Sequence, residues 1–210
     1  MLLIGITEMT KEIFTIGYSS FSIEVFLNTL KKYNITAIAD VRSQPCSRFK
    51  PEFNRENLKG ELNKNNIAYV FLGEECGARI NDPKYFTDGK VDYRLVAKNP
   101  TFNKGLERIK KGLEKFSIAL MCAEKDPITC HRTILVCRSL LSVGIDIKHI
   151  LSNGRLEKHK DSEQRLMRLF NLNHPDMFLS EEQRLADAYS RQGEKIAHEI
   201  AEPSNRDWGK

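Results

Sequence analysis

Residues 116–151 read FSIALMCAEKDPITCHRTILVCRSLLSVGIDIKHIL. The run 116–122, FSIALMC, is apolar almost throughout and lacks the alternation of a half-exposed strand. It is therefore expected as a strand covered on both faces, the kind found inside parallel sheets. A polar loop follows. HRTILVCRSLLSVG at 131–144 then has helical periodicity, with Gly144 placed at its C-terminal end. DIKHIL at 146–151 is again of strand length. A strand, a helix and a second strand in this order form a βαβ unit, which commits the chain to a layered α/β fold.

The rest of the chain repeats the alternation. EIFTIG at 12–17 reads as a strand ended by Gly17. In the following segment Ile23, Phe26, Leu27, Leu30 and Tyr33 recur at helical spacing, behind Ser20 or Ser22 as N-cap. ITAIADV at 35–41 and IAYVFLG at 67–73 are two further strands. Between them lie the polar loop RSQPCSRFKPEF and a short helix, with Leu58 and Leu62 on one face and Asn54 as its cap. Residues 74–100 carry Gly77, Pro83, Gly89 and Pro100 and are expected to be irregular, while Phe102, Leu106, Ile109 and Leu113 mark a helix over 101–115. The expected architecture is α/β: a mostly parallel, five-stranded, doubly wound (Rossmann-like) sheet with right-handed crossovers over residues 12–155. Residues 156–210 are expected as a C-terminal helical extension, with helices near 161–170 and 180–200 and a capping box at Ser180 and Gln183. Residues 1–11 are expected as a disordered or ancillary lead, and Met9 offers an alternative start to Met1.

The chain has 210 residues, 40% apolar and 29% charged, within the range of globular domains. Its net charge of +5, from 33 basic and 28 acidic residues, permits a phosphate-bearing partner without requiring one. No apolar run approaches the ~20 residues of a membrane span, and no secretory signal is legible. The five cysteines are odd in number and are read as free thiols of a reducing cytoplasm.

In open α/β sheets ligands bind beyond the carboxyl ends of the strands. The residues just after each strand are Tyr18, Ser19 and Ser20; Asp40, Arg42, Ser43, Ser47 and Arg48; Glu74, Glu75 and Arg79; and Cys122, Glu124, Lys125, Asp126, Thr129, Cys130, His131 and Arg132. Four polar, arginine-rich loops are thus expected to meet on one rim. Arg42 and Arg48, flanked by Ser43 and Ser47, suit an anion because guanidinium forks match phosphate or carboxylate; the competing reading pairs these arginines with Asp40 or Glu74.

Cys130-His131-Arg132 admits three readings. Cys130 is a nucleophile, its thiolate favoured by a helix N-terminus and cationic neighbours. Alternatively Cys122, Cys130 and His131 bind a metal, although their spacing matches none of the usual zinc patterns and a fourth ligand is not evident. Or the thiol is an inert core group and the histidine ties loop to helix. Glu124 and Asp126 are either an acid–base pair or, respectively, an arginine partner and a helix cap. Phosphatase and rhodanese loops place an arginine six residues after their cysteine; Ile128 and Val136 occupy those positions, which excludes that chemistry. No phosphate-binding glycine loop, dinucleotide fingerprint or HExxH pair occurs.

TIGYSS at 15–20, DVRSQPCSRFKPEF at 40–53, YVFLGEECGAR at 69–79 and LMCAEKDPITCHR at 120–132 together resemble the domain-of-unknown-function family four-eight-eight, over about residues 12–160. The resemblance implies a fold and a set of motif positions but no reaction. Those positions are Gly17, Ser19, Asp40, Arg42, Pro45, Ser47, Arg48, Gly73, Arg79, Cys122, Glu124, Cys130, His131 and Arg132. The family pattern has histidine where Tyr18 stands and LGGR where CGAR stands. A phenol has a much higher pKa than an imidazole, which puts a proton-transfer role at position 18 in doubt.

The resulting expectation is a cytoplasmic hydrolase or group transferase without a cofactor or metal. It acts on a phosphate-bearing small molecule or nucleic acid, away from any membrane. Cys130, His131 and Glu124 carry the reaction, and Ser19, Asp40, Arg42, Ser47, Arg48, Arg79 and Arg132 hold the substrate. A non-catalytic nucleic-acid-binding or regulatory module and a thiol- or metal-based sensor are the alternatives.

Overall fold

The computed structural model describes residues 11–199. Apart from Lys11, the expected N-terminal lead lies outside the described residues, as does the end of the expected C-terminal extension. The strands are β1 (Glu12–Gly17), β2 (Ala37–Asp40), β3 (Ala68–Phe71), β4 (Phe86–Thr87), β5 (Lys90–Val91), β6 (Ile118–Cys122), β7 (Asp146–Ile150) and β8 (Leu156–Lys158). The helices are α1 (Ile23–Lys32), α2 (Arg55–Lys64), α3 (Gly73–Cys76), α4 (Tyr93–Val96), α5 (Pro100–Gly112), α6 (Arg138–Leu141), α7 (His159–Leu169) and α8 (Glu181–Ile196). A π-helical stretch, Arg132–Cys137, runs directly into α6.

The central sheet has the order β3-β2-β6-β1-β7-β8. Its first five members run parallel, and β8 pairs antiparallel with β7. The sheet therefore has six strands where five were expected. The sixth was missed because LEK is too short and too polar to carry a strand pattern; β7 and the tight turn at Gly154, with φ +70°, position it instead. The segment 74–100 is also more ordered than its glycines and prolines suggest. It holds α3, α4 and the β4–β5 hairpin, whose turn is made by Asp88 and Gly89, both in the left-handed region.

Two apolar layers cover the sheet. Phe26, Leu27 and Leu30 of α1 and Leu58 and Leu62 of α2 pack on one face with Ile16, Ile38 and Met121. Phe102, Leu106 and Ile109 of α5, the π stretch, Leu166 and Met167 of α7, and Ala188 and Tyr189 of α8 pack on the other with Ile13, Leu120 and Ile147. Burial on both faces is the physical reason that β6 shows no alternation. Ser22 caps α1, and Ser180 and Gln183 form the expected capping box of α8. Asn54 does not cap α2 with its side chain; its Oδ1 accepts from Ser47 N and braces the preceding loop instead.

β1 leads to α1 on one face, and the neighbouring β6 leads to the π stretch on the other. The loops after these two strands therefore part at the carboxyl edge, the place where open α/β sheets bind ligands. Among the described residues no helix is long and apolar enough to cross a membrane.

Candidate thiol, histidine and carboxylate centre

The four loops named from the sequence do meet at the carboxyl edge. Ser19 N donates to Ala123 O, and His131 Nε2 donates to Val41 O at 3.0 Å. Arg79 N donates to Ser43 Oγ. Two glycines permit the closeness. A Cβ on Gly17 would stand 1.8 Å from Glu124 O, and one on Gly73 would stand 2.1 Å from Arg42 O.

The arginines do not converge as expected. Arg42 is buried, forks onto both oxygens of fully buried Asp40 at 2.8 and 2.6 Å, and also donates to Phe53 O. Its guanidinium lies 4.9 Å from the Tyr18 ring, which stacks on Phe53. Tyr69 Oη also donates to Asp40, and burial together with that carboxylate pushes the phenol above its ordinary range. All of this lies in the layer of α1 and α2. Arg132, fully buried, springs from the opposite layer and donates to Glu124 O at 2.7 Å and weakly to Thr15 Oγ1. A strand's residues alternate between faces, and the sheet separates the two guanidiniums; neither can join the other on one anion. Arg48 and Arg79 stand exposed on outer loops, Arg79 bonded to Gln44. Ser19 is exposed, and Ser47 Oγ accepts from Phe49 N and Lys50 N in its own turn. Tyr18 is therefore a packing residue.

The loop after β6 does gather its chemistry. Glu124 Oε2 accepts from Cys122 Sγ at 3.0 Å and from Cys130 Sγ at 2.9 Å. His131 Nδ1 lies 3.7 and 3.9 Å from the same two sulfurs. The thiols and the imidazole are buried, whereas Glu124 belongs to an exposed stretch and closes the cluster from outside. Local structure explains this placement. Asp126 Oδ1 accepts from Ile128 N, Pro127 opens a single helical turn, and Cys130 O accepts from both Thr133 N and Ile134 N. The chain thus doubles back within eight residues, bringing Cys130 beside Cys122. Asp126 also pairs with Arg165 of α7, so it is a structural cap and not half of an acid pair with Glu124.

Electrostatically the cluster is a set of acids sharing protons. Burial raises the pKa of Glu124, reinforced by Cys130. The hydrogen bond with Cys130 raises Cys122, and burial adds to it. Burial opposes ionisation of Cys130, but the hydrogen bond from Cys122 and the charges of Arg132 and His131 outweigh it and favour its thiolate. In His131, Nε2 carries the proton given to Val41 O and Nδ1 faces both sulfurs; burial opposes a second proton on the ring, but the hydrogen bond and charge of Cys130 outweigh it and raise the pKa of the imidazole. Tyr93 of α4 borders the cluster. Its buried hydroxyl has no partner among the described residues, and burial, with Cys130, Cys122 and Glu124 nearby, raises its pKa. The same residue lines a cleft of about 670 Å³ between the β4–β5 hairpin, α4, the π stretch and α8. None of the residues expected to hold substrate lines that cleft.

Sequence reasoning missed a second buried array. Thr15 Oγ1 bonds His149 Nδ1 at 2.8 Å, His149 Nε2 bonds His159 Nδ1 at 2.9 Å, and His159 Nε2 bonds Tyr189 Oη at 2.8 Å. Tyr189 then donates to Glu163 Oε1. His149 stands near the end of β7 and His159 opens α7, with β8 between them, and their spacing of ten residues does not flag a pair.

Fold and site together define an α/β protein with an open, largely parallel sheet and a cysteine, histidine and glutamate cluster at its carboxyl edge. The family model described as domain of unknown function DUF488 matches residues 22–138, more than half of the chain, and the chain belongs to that family. The matched region contains three of the four sequence motifs and begins just beyond the first. No curated protein and no solved structure matches the chain.

Proposed function

We propose that the protein is an enzyme, a hydrolase or group transferase, whose reacting centre is the Cys122, Glu124, Cys130 and His131 cluster. One observation carries this reading: Glu124 spans from an exposed loop to two buried thiols, with its Oε2 3.0 and 2.9 Å from them. A purely structural pair of buried thiols has no need of a carboxylate, and a carboxylate at a mouth can exchange protons with a substrate. The burial of Cys130, 1% exposed, argues against direct attack by its sulfur, because a nucleophile must touch its electrophile. Glu124 is the member a substrate meets first.

A phosphate-bearing substrate suits the exposed cations of the same edge, Arg48, Arg79 and Lys125, and the net charge of +5. Arg42 and Arg132 hold the loops that carry these groups.

The test is a turnover and thermal-shift screen with nucleotides, sugar phosphates, p-nitrophenyl phosphate and short oligonucleotides. A bound substrate raises the melting temperature in proportion to the logarithm of its saturation. Glu124→Gln is expected to lower kcat at least a hundredfold while changing the melting temperature little, a loss of the size associated with general acid–base catalysis. Binding of oligonucleotides that falls steeply with salt, with no turnover of any substrate, would establish a binding module instead.

A further inference from the structure

We propose that Cys122, Cys130 and His131, with Glu124 as a fourth and exchangeable donor, form a binding site for one zinc-like divalent cation. The three inner donor atoms all lie within 4.8 Å of one another, and all three residues are buried. Zinc–sulfur and zinc–nitrogen bonds of about 2.3 and 2.0–2.1 Å at a tetrahedral angle put sulfur and nitrogen about 3.6 Å apart. The observed separations are 3.7 and 3.9 Å. Glu124 Oε2 lies within hydrogen-bond range of both sulfurs but outside the set of mutually close donors, so it becomes the fourth donor only by swinging away from the sulfurs and toward the imidazole.

Three further features point to a cation. The outer nitrogen of His131 donates to Val41 O, the arrangement that orients a metal-ligating imidazole and presents its other nitrogen as a lone pair. Arg132, fully buried beside the cluster, offsets the negative charge left when two thiolates and a carboxylate meet a dication. Its Nη2 has no partner among the described residues, as expected of a group placed for long-range charge balance. The chemistry balances simply: whatever protons the two sulfurs, His131 Nδ1 and Glu124 share are released to solvent, and four lone pairs enter the metal's shell. The sequence offered this donor set as one of three readings, but its spacing matched no usual zinc pattern: seven residues separate Cys122 from Cys130, and the histidine directly follows the second cysteine.

Three buried ligands and one exposed carboxylate match the composition of a site that keeps an exchangeable position. If Glu124 yields that position to a substrate oxygen, the metal and the reaction share one centre; this consequence rests on the enzymatic reading, whereas the metal site does not.

The test uses the full chain purified under reducing conditions without chelator. Elemental analysis is expected to find about one zinc per chain. Replacement by cobalt(II) is expected to give thiolate-to-cobalt charge-transfer bands and the intense visible bands of tetrahedral cobalt. Cys122→Ser and Cys130→Ser should each lower the charge-transfer intensity, leaving that of the remaining thiolate, or weaken binding at least a hundredfold. Glu124→Gln should keep one metal per chain, with affinity lowered about tenfold. Should a cysteine variant fail to fold, the native protein decides the matter: its thiol reagent reactivity at Cys122 and Cys130 should rise after chelation and fall when zinc is restored. A folded wild-type chain that takes up neither zinc nor cobalt, or that binds them unchanged without both cysteines, overturns the proposal. Metal bound without any turnover leaves this site standing and removes only the enzymatic reading.

Discussion

Asp40 and Gly17 show how single residues fix the carboxyl edge. Asp40 is fully buried and its charge is met by Arg42, itself 5% exposed. Removing one member of such a pair leaves the other charge buried without compensation, at about 3–5 kcal/mol. Asp40→Ala is therefore expected to lower unfolding free energy by about that amount, read from urea denaturation. A change below about 1 kcal/mol would show that Arg42 finds water once freed. Gly17→Ala drives a methyl into Glu124 O and should cost about 1–3 kcal/mol. The same substitution is expected to weaken whatever binds the thiol centre, because the displaced loop carries Glu124. The sequence showed Gly17, Asp40 and Arg42 as strand-end residues and offered pairing of Arg42 with Asp40 as the competing reading, which is the one the structure shows. That choice is made by Phe53 O and the Tyr18 ring, which come from distant segments.

At the scale of elements, β7 and α7 are joined through His149 and His159. Burial, with the nearby His159, Arg132 and Arg165, holds His149 well below the ordinary imidazole value. The unfolded chain protonates this histidine below about pH 6.5, while the folded chain refuses the proton. Stability is thus complete above that pH and declines as pH falls. Glu163, lowered chiefly by its hydrogen bond to His159 against the opposing effect of burial, adds a second decline below the ordinary carboxylate range. Melting temperatures measured from about pH 8 to about pH 2 should show both declines in the wild type. His149→Gln should lose the upper one, and a profile unchanged by that substitution would contradict the arrangement. The strands and long helices were legible because their apolar periodicity reflects burial. β8 and the β4–β5 hairpin were not, since strands of two or three residues carry too few side chains to show a period.

On the scale of the whole molecule, the region after residue 155 is built into the sheet and core. β8 completes the sheet, and Leu166, Met167, Ala188 and Tyr189 are buried against it. A chain ending at residue 155 is expected to lose cooperative unfolding and to bind hydrophobic dyes, since it exposes one face of the sheet and leaves His149 without its partner. A truncated chain with a sharp thermal transition and native circular dichroism would show that the first 155 residues fold alone.

The sequence by itself determined the layered α/β class, the parallel core strands and the four loops that bear polar groups, because these follow from local periodicity and from the rule that ligands gather at carboxyl ends. It also determined the family, since four ordered motifs are a linear property. Only the tertiary structure decided which of those polar groups meet. The sheet is a partition: it separates Arg42 from Arg132, and the turn at Pro127 brings Cys130 back to Cys122 on one side of it. Side-chain direction depends on strand parity and on the path of a loop through space, and neither is written in the spacing of residues along the chain.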